Sequence, residues 1–380
     1  MKIGILTQPL HNNYGGMLQA YALKETLQYL GHETVIINRR GKETSWMQKK
    51  ASILKSRILN RNINQFLFLN SYQKKIISLE TLSFQKKYIP NLSSLITDNK
   101  GMLALNNMDF NAYVVGSDQC WRPIYSPNIK NYFLDFAKEQ INVKRISYAA
   151  SFGVNEWEFN KEDEVICKKL IQKFDGISVR EDSGIELIKK HFGRDDAIHL
   201  IDPTMLLSIE KYKNIGVNEN IPASVGNLNV YILDKSEEKD RVINHIINKF
   251  GYTPFEVHPK KRFDSEKVTD KNIEDFVYPN PAKWIRGFQD AKFVVTDSFH
   301  GTVFSILFNV PFITIGNKKR GIARFESLLN MFELKDRFIT DFSKEKINYI
   351  ISNDIDWDKV NIILNKEQKK AINFLKKNLQ

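Results

Sequence analysis

An apolar strand pattern, Lys292-Phe293-Val294-Val295-Thr296, runs into Asp297-Ser298-Phe299-His300-Gly301-Thr302 and then into Val303-Phe304-Ser305-Ile306-Leu307. One histidine thus stands in a small-polar turn between a strand and a helix. The C-terminal edge of a strand in an open α/β sheet is where ligands bind. An imidazole with an ordinary pKa of about 6.5 exchanges protons at neutral pH, and the helix N-terminus after it attracts anions. The segment reads as a catalytic acid beside an anion site, or as a histidine hydrogen-bonded at a strand end. Arg180 leaves the strand pattern Ile177-Ser178-Val179 where Asp182-Ser183 open a helix. A guanidinium there grips a carboxylate or phosphate bidentately, or it pairs with Glu181 or Asp182.

Two loops and one basic cluster complete the candidates. Asn13-Tyr14-Gly15-Gly16 lies between a strand and a helix, and paired glycines let the backbone approach a ligand or simply make a tight turn. No G-x-G-x-x-G accompanies it, so a dinucleotide fingerprint is unsupported. Gly116-Ser117-Asp118-Gln119 also follows a strand, and its aspartate suits either a helix cap or a sugar hydroxyl. Lys318, Lys319, Arg320 and Arg324 follow another strand and can complete an anion pocket, a solvated loop being the alternative for the first three. Cys120 and Cys167 belong to no Cys/His cluster, and no metal-ligand spacing is visible.

The elements that must position these residues repeat along the chain. Ile3-Gly4-Ile5-Leu6, a helix over 17–30 closed by Gly31, and a strand over 34–37 form a β-loop-α-β unit that begins a parallel sheet. Strands at 112–115, 145–150, 176–179 and 198–201 follow, several of them ending in small polar residues. A second series starts near Asn229 and holds strands at 229–233, 255–257, 292–296 and 311–315, with helices at 239–250 and 281–288. The apolar pattern lapses between about Met205 and Asn227, so two α/β domains are expected, at 1–210 and 225–345, with a helical segment at 346–380.

Composition narrows the class. Among 380 residues, 42% are hydrophobic and 26% charged, as in an ordinary globular protein. No run of about 18 apolar residues occurs, and the opening apolar stretch is too short for a signal peptide, so a cytoplasmic protein is expected. The net charge of +12 is local: residues 39–90 hold twelve basic residues against Glu43 and Glu80. Met47, Ala51, Leu54 and Ile58 share one helical face there, flanked by Lys50 and Arg57. This basic helical insertion suits an anionic membrane surface or a lipid-linked substrate, or it is an arm packed on its own domain with a solvated rim. Its aromatics do not alternate with the basic residues as a stacking platform would, so nucleic acid is not expected.

Six segments resemble one family: Asn13-Tyr14-Gly15-Gly16-Met17-Leu18-Gln19-Ala20-Tyr21-Ala22-Leu23, Val114-Val115-Gly116-Ser117-Asp118-Gln119, Ser147-Tyr148-Ala149-Ala150-Ser151-Phe152-Gly153, Ser178-Val179-Arg180-Glu181-Asp182-Ser183-Gly184, Asp202-Pro203-Thr204 and Thr296-Asp297-Ser298-Phe299-His300-Gly301-Thr302. In this order, over about residues 1–340, the chain is similar to the polysaccharide pyruvyl transferases. The insertion at 39–90 matches that family poorly. The resemblance implies two Rossmann-like domains facing a cleft, similar to the GT-B glycosyltransferase fold, with phosphoenolpyruvate as co-substrate and no other cofactor. It implies a sugar or lipid-linked oligosaccharide as acceptor and a pyruvate ketal on a surface polysaccharide as product. His300 becomes the expected proton donor and Arg180 the expected ligand of the donor's carboxylate or phosphate. Ser298, Asn13, Tyr14, Gly15, Gly116, Ser117, Asp118, Ser151 and Arg324 are the further expected substrate contacts. A glycosyltransferase of the same fold using a nucleotide sugar is the alternative, followed by a basic protein that binds membrane or nucleic acid. Peripheral contact with the inner face of the plasma membrane follows if the insertion serves a lipid-linked acceptor.

Overall fold

The computed structural model of the chain describes residues 1–42, 69–137, 142–263, 266–316 and 321–380. Two parallel sheets organise them. The first holds β1 (Lys2–Leu6), β2 (Glu33–Ile36), β3 (Ala112–Val115), β4 (Lys144–Ala150), β5 (Gly176–Val179) and β6 (Ile198–His199), in the order β2-β1-β3-β4-β5-β6. The second holds β7 (Leu228–Tyr231), β8 (Pro254–Phe255), β9 (Phe293–Thr296), β10 (Phe312–Ile315) and β11 (Phe338–Ile339), in the order β11-β10-β9-β7-β8. β3, β5, β7, β9 and β10 are buried along their whole length, which is why they read as unbroken apolar runs rather than alternating ones. Strand order reverses between β1 and β3 and between β7 and β9, and ligands of open α/β sheets collect at such points.

Helices set the loops that follow these strands. Tyr14–Tyr29 starts where the Asn13 side chain accepts a hydrogen bond from the Gly16 N–H, and it ends before Gly31 at φ 86°. Phe299–Leu307 starts on Ser298, whose hydroxyl accepts from the Gly301 N–H. One apolar cluster runs between the two units. The Tyr14 ring lies 5.9 Å from that of Trp284, and Tyr212 lies 5.0 Å from Phe304. Burying one large side chain of this kind contributes roughly 1.5–3 kcal/mol, so the seam is a core rather than a loose contact. The last helix, Trp357–Leu379, returns to the first sheet: Gln368 donates to Met205 O at 2.7 Å and Lys370 to His199 O at 2.9 Å.

Where it is described, the basic insertion packs on both units: on its own unit the Thr81 hydroxyl donates to Asn12 Oδ1 at 2.6 Å and the Tyr88 ring lies 6.0 Å from that of Tyr21. Residues 43–68, with Met47, Ala51, Leu54, Ile58 and the surrounding basic residues, lie outside the described residues. Past them, Leu69 and Ile77 pack against Val268, Ile273 and Phe276, and the Tyr278 N–H donates to Ile77 O. That portion, which includes the helix Ser71–Ile77, therefore packs on the unit of the second sheet. Apolar positions 69 and 77 find their partners about 200 residues away, which local spacing cannot show. Among the described residues, no helix is long and apolar enough to cross a membrane.

Candidate active site between the two sheets

Four strand exits converge on one buried polar cluster. β9 ends at Thr296, and His300 follows in the first turn of the helix capped by Ser298. β5 delivers Arg180, the turn after β6 delivers Asp202, and β3 is followed by Gly116-Ser117-Asp118. Asp202 is locked through Oδ1, which accepts from the Thr204 N–H at 3.0 Å and the Thr204 hydroxyl at 2.7 Å. Its other oxygen, Oδ2, accepts from Arg180 Nη1 at 2.9 Å and from the Ser117 hydroxyl at 3.4 Å, and lies 3.5 Å from His300 Nε2. Arg180 Nη2 reaches Asp118 Oδ1 at 3.2 Å. The Phe299 ring lies against two cations, with the Arg180 guanidinium 4.5 Å and that of Arg324 5.5 Å from its centre.

Burial decides the electrostatics. Arg180 is only 2% exposed, Asp202 1% and His300 6%, so charge is compensated inside the cluster rather than by water. Burial alone would raise the pKa of Asp202, but the positive charge of His300, its contact, and then Arg180 outweigh it and hold the carboxyl well below the usual range. Asp118 behaves alike: burial opposes ionisation, and Arg180, His300 and Arg324 together overcome it. Arg324 comes down to about 10 through burial first and the neighbouring Arg180 second, which leaves it cationic at neutral pH. Glu181 differs, because burial dominates and raises its pKa. Its Oε1 accepts from the Ser151 hydroxyl and from the N–H groups of Phe152 and Gly153. Among the described residues, His300 Nε2, Arg180 Nε and Glu181 Oε2 are buried without a hydrogen-bond partner. Two guanidiniums and an imidazole suit an anionic substrate that takes up a proton.

The expected contacts divide into those at the cluster and those that support it. Asn13 caps its helix, and Gly15 lies directly under the His300 ring. Tyr14 is 1% exposed, with its hydroxyl donating to Pro279 O at 3.0 Å, so it joins the interdomain core rather than an open loop. Gly116 at φ 127° packs so closely on Tyr148 O that a Cβ would come within 2.1 Å of it. Ser117 is fully buried and donates to Ala149 O, while Ser151 supports Glu181. Arg180 pairs with neither Glu181 nor Asp182; its partners are Asp118 and Asp202, 62 and 22 residues away. Lys318, Lys319 and Arg320 lie outside the described residues.

Sequence reasoning left out three residues of the cluster: Asp202, Glu181 and Phe299. For Asp202 a signal existed, since Asp202-Pro203 ends a strand pattern as the other site loops do. Glu181 and Phe299 gave none beyond their places in the family-like segments around Arg180 and His300. Both cysteines are buried and free, and among the described residues no His/Cys/Asp/Glu group is arranged to hold a metal ion.

Known proteins give the arrangement its context. The UDP-GlcNAc 2-epimerase from Neisseria meningitidis bound to UDP-GlcNAc is 10% identical, with 99% of this chain and 100% of that one covered at a TM-score of 0.53. The UDP-GlcNAc 2-epimerase from Methanocaldococcus jannaschii is 11% identical, with 94% and 93% covered at a TM-score of 0.51. Such likeness shows the fold, a GT-B-type pair of α/β units. No curated protein matches the chain. The model of one family, Polysaccharide pyruvyl transferase, matches residues 13–319, a span that takes in most of both units and every member of the cluster except Arg324. With most of its length so matched, the chain belongs to the polysaccharide pyruvyl transferase family.

Proposed function

We propose that the protein transfers the pyruvyl group of phosphoenolpyruvate to two hydroxyls of a sugar, forming a ketal during surface polysaccharide synthesis. The observation that carries this reading is His300 set in a buried cluster with Arg180 and Arg324, inside a chain of this family. The His300 imidazolium gives a proton to the methylene carbon of the donor. C2 then becomes oxocarbenium-like, and the first sugar hydroxyl adds to it and loses its proton. A second hydroxyl attacks C2 and gives up its proton to the phosphate group, the C2–O bond to phosphate breaks, and inorganic phosphate leaves. Positioned acid catalysis of this kind contributes about 10²–10⁴-fold.

Arg324 and Arg180 supply positive charge for the donor's carboxylate and phosphate. The terminal nitrogens of Arg180 already bind Asp118 and Asp202, so it contributes as a nearby charge and through Nε. Asn13, exposed where its helix begins, and Asp118, beside Arg180, are left to meet the acceptor, since Tyr14, Gly15, Gly116 and Ser117 are buried. A lipid-linked acceptor at the inner face of the plasma membrane fits the basic charge of residues 39–90, and sedimentation with anionic vesicles tests that part separately. The reaction itself is tested by incubating the protein with phosphoenolpyruvate and candidate sugar acceptors. Phosphate release together with an acceptor that gains a carboxyethylidene group supports the proposal. Consumption of a nucleotide sugar with phosphoenolpyruvate untouched overturns it.

A further inference from the structure

Asp202 Oδ2 is approached by both the Arg180 guanidinium and the His300 ring, at 2.9 and 3.5 Å, and Oδ1 is fixed by Thr204. The carboxylate therefore has one orientation available and presents a negative oxygen to Nε2. A neutral imidazole carries a single N–H, and a lone pair on Nε2 would face that oxygen and be repelled. The hydrogen belongs on Nε2. The other ring nitrogen approaches the buried backbone of the opposite unit: a Cβ built on Gly15 would come 2.1 Å from Nδ1. Nδ1 thus sits at the seam between the two sheets, over the first turn of the helix Tyr14–Tyr29.

From this geometry we infer that Asp202 is the positioning residue of His300: it holds the hydrogen on Nε2 and makes Nδ1 the atom that exchanges a proton with substrate. The inference rests on the pyruvyl-transfer reading for the identity of the proton acceptor only. A carboxylate behind a histidine orients the ring and stabilises its charged form without taking the proton itself. Asp118, Arg180 and Arg324 also act electrostatically in the cluster, but among the described residues Asp202 is the charged group paired with the ring. The 3.5 Å separation is long for a hydrogen bond, as contacts of this kind often are before substrate binds.

The test is a two-bond ¹H–¹⁵N spectrum of the full chain labelled with ¹⁵N-histidine, in which the His300 signals are those missing from His300→Gln. With the imidazole neutral, the wild type is expected to show the hydrogen on Nε2. Asp202→Asn is expected to lose that preference and to lower kcat by about a hundredfold or more, with the KM for phosphoenolpyruvate changed by less than about threefold. Hydrogen on Nδ1 in the wild type overturns the inference, and so does an Asn variant with unchanged kcat. If the Asn variant does not fold, the wild-type spectrum decides alone. The spectrum needs no substrate, so a protein that ignores phosphoenolpyruvate sinks the proposed function while the histidine tautomer is still read.

Discussion

Gly15, at the start of the first sheet's leading helix, lies beneath the imidazole of His300 from the second sheet, so close that a Cβ on Gly15 would fall 2.3 Å from Cγ and 2.1 Å from Nδ1. The absent side chain is what lets the ring seat across the seam. Gly15→Ala forces either the ring or the two units to move. We expect kcat to fall at least about tenfold, since small displacements of a catalytic group are costly, and the thermal midpoint to fall as well, since overpacking a closed seam costs about 1–3 kcal/mol. An Ala variant with full turnover shows that the ring works from another position.

Removing the proton donor is the direct test of the chemistry. His300→Gln keeps a polar group near Asp202 but cannot carry the proton. Turnover is expected to drop by about a hundredfold or more, and calorimetric titration with phosphoenolpyruvate is expected to show nearly unchanged affinity. Equal turnover in the variant assigns the acid elsewhere.

For Arg180→Lys the fork geometry alone predicts weaker donor binding with little effect on stability. The observed pairs change that expectation. Nη1 and Nη2 hold different carboxylates, and one ammonium cannot reproduce both bonds. Breaking one partner of a buried pair costs about 3–5 kcal/mol, so urea unfolding of Arg180→Lys should move to clearly lower concentration. A variant of wild-type stability with weakened donor affinity restores the simpler role.

Arg324 is the complementary case. Replacing it with Gln is expected to raise the KM for phosphoenolpyruvate at least about tenfold, because a buried cation beside Phe299 is lost while the bonds between Arg180 and its two carboxylates remain. Steady-state kinetics at fixed acceptor measures it. An unchanged KM removes Arg324 from the donor site.

Acid should unfold the protein through the same cluster. Asp118 and Asp202 have lower pKa values in the folded chain than when unfolded, so the unfolded chain binds their protons first. The stability they supply is complete above about pH 5 and is lost as pH falls below about 4. Asp118→Asn should therefore show a shallower loss of its urea midpoint between pH 5 and 3 than the wild type. Parallel pH profiles would assign acid unfolding to other carboxylates.

The alternation of strands and helices, the two-unit arrangement and the places of His300 and Arg180 at strand exits were all legible in local sequence. Parallel strands buried on both faces leave unbroken apolar runs, and their polar exits mark the edge where ligands bind. What Arg180 bonds to was not legible, because Asp118 and Asp202 come from other strands and reach it only once β3, β5 and β6 are aligned. The same holds for Tyr14, whose loop position hides its burial against Trp284, and for Ile77, whose apolar partners belong to the other unit. Local spacing reports which face of an element is apolar and where it stops. Which distant charge or ring meets that face depends on how the two sheets pack, and packing is decided by contacts between residues far apart in the chain.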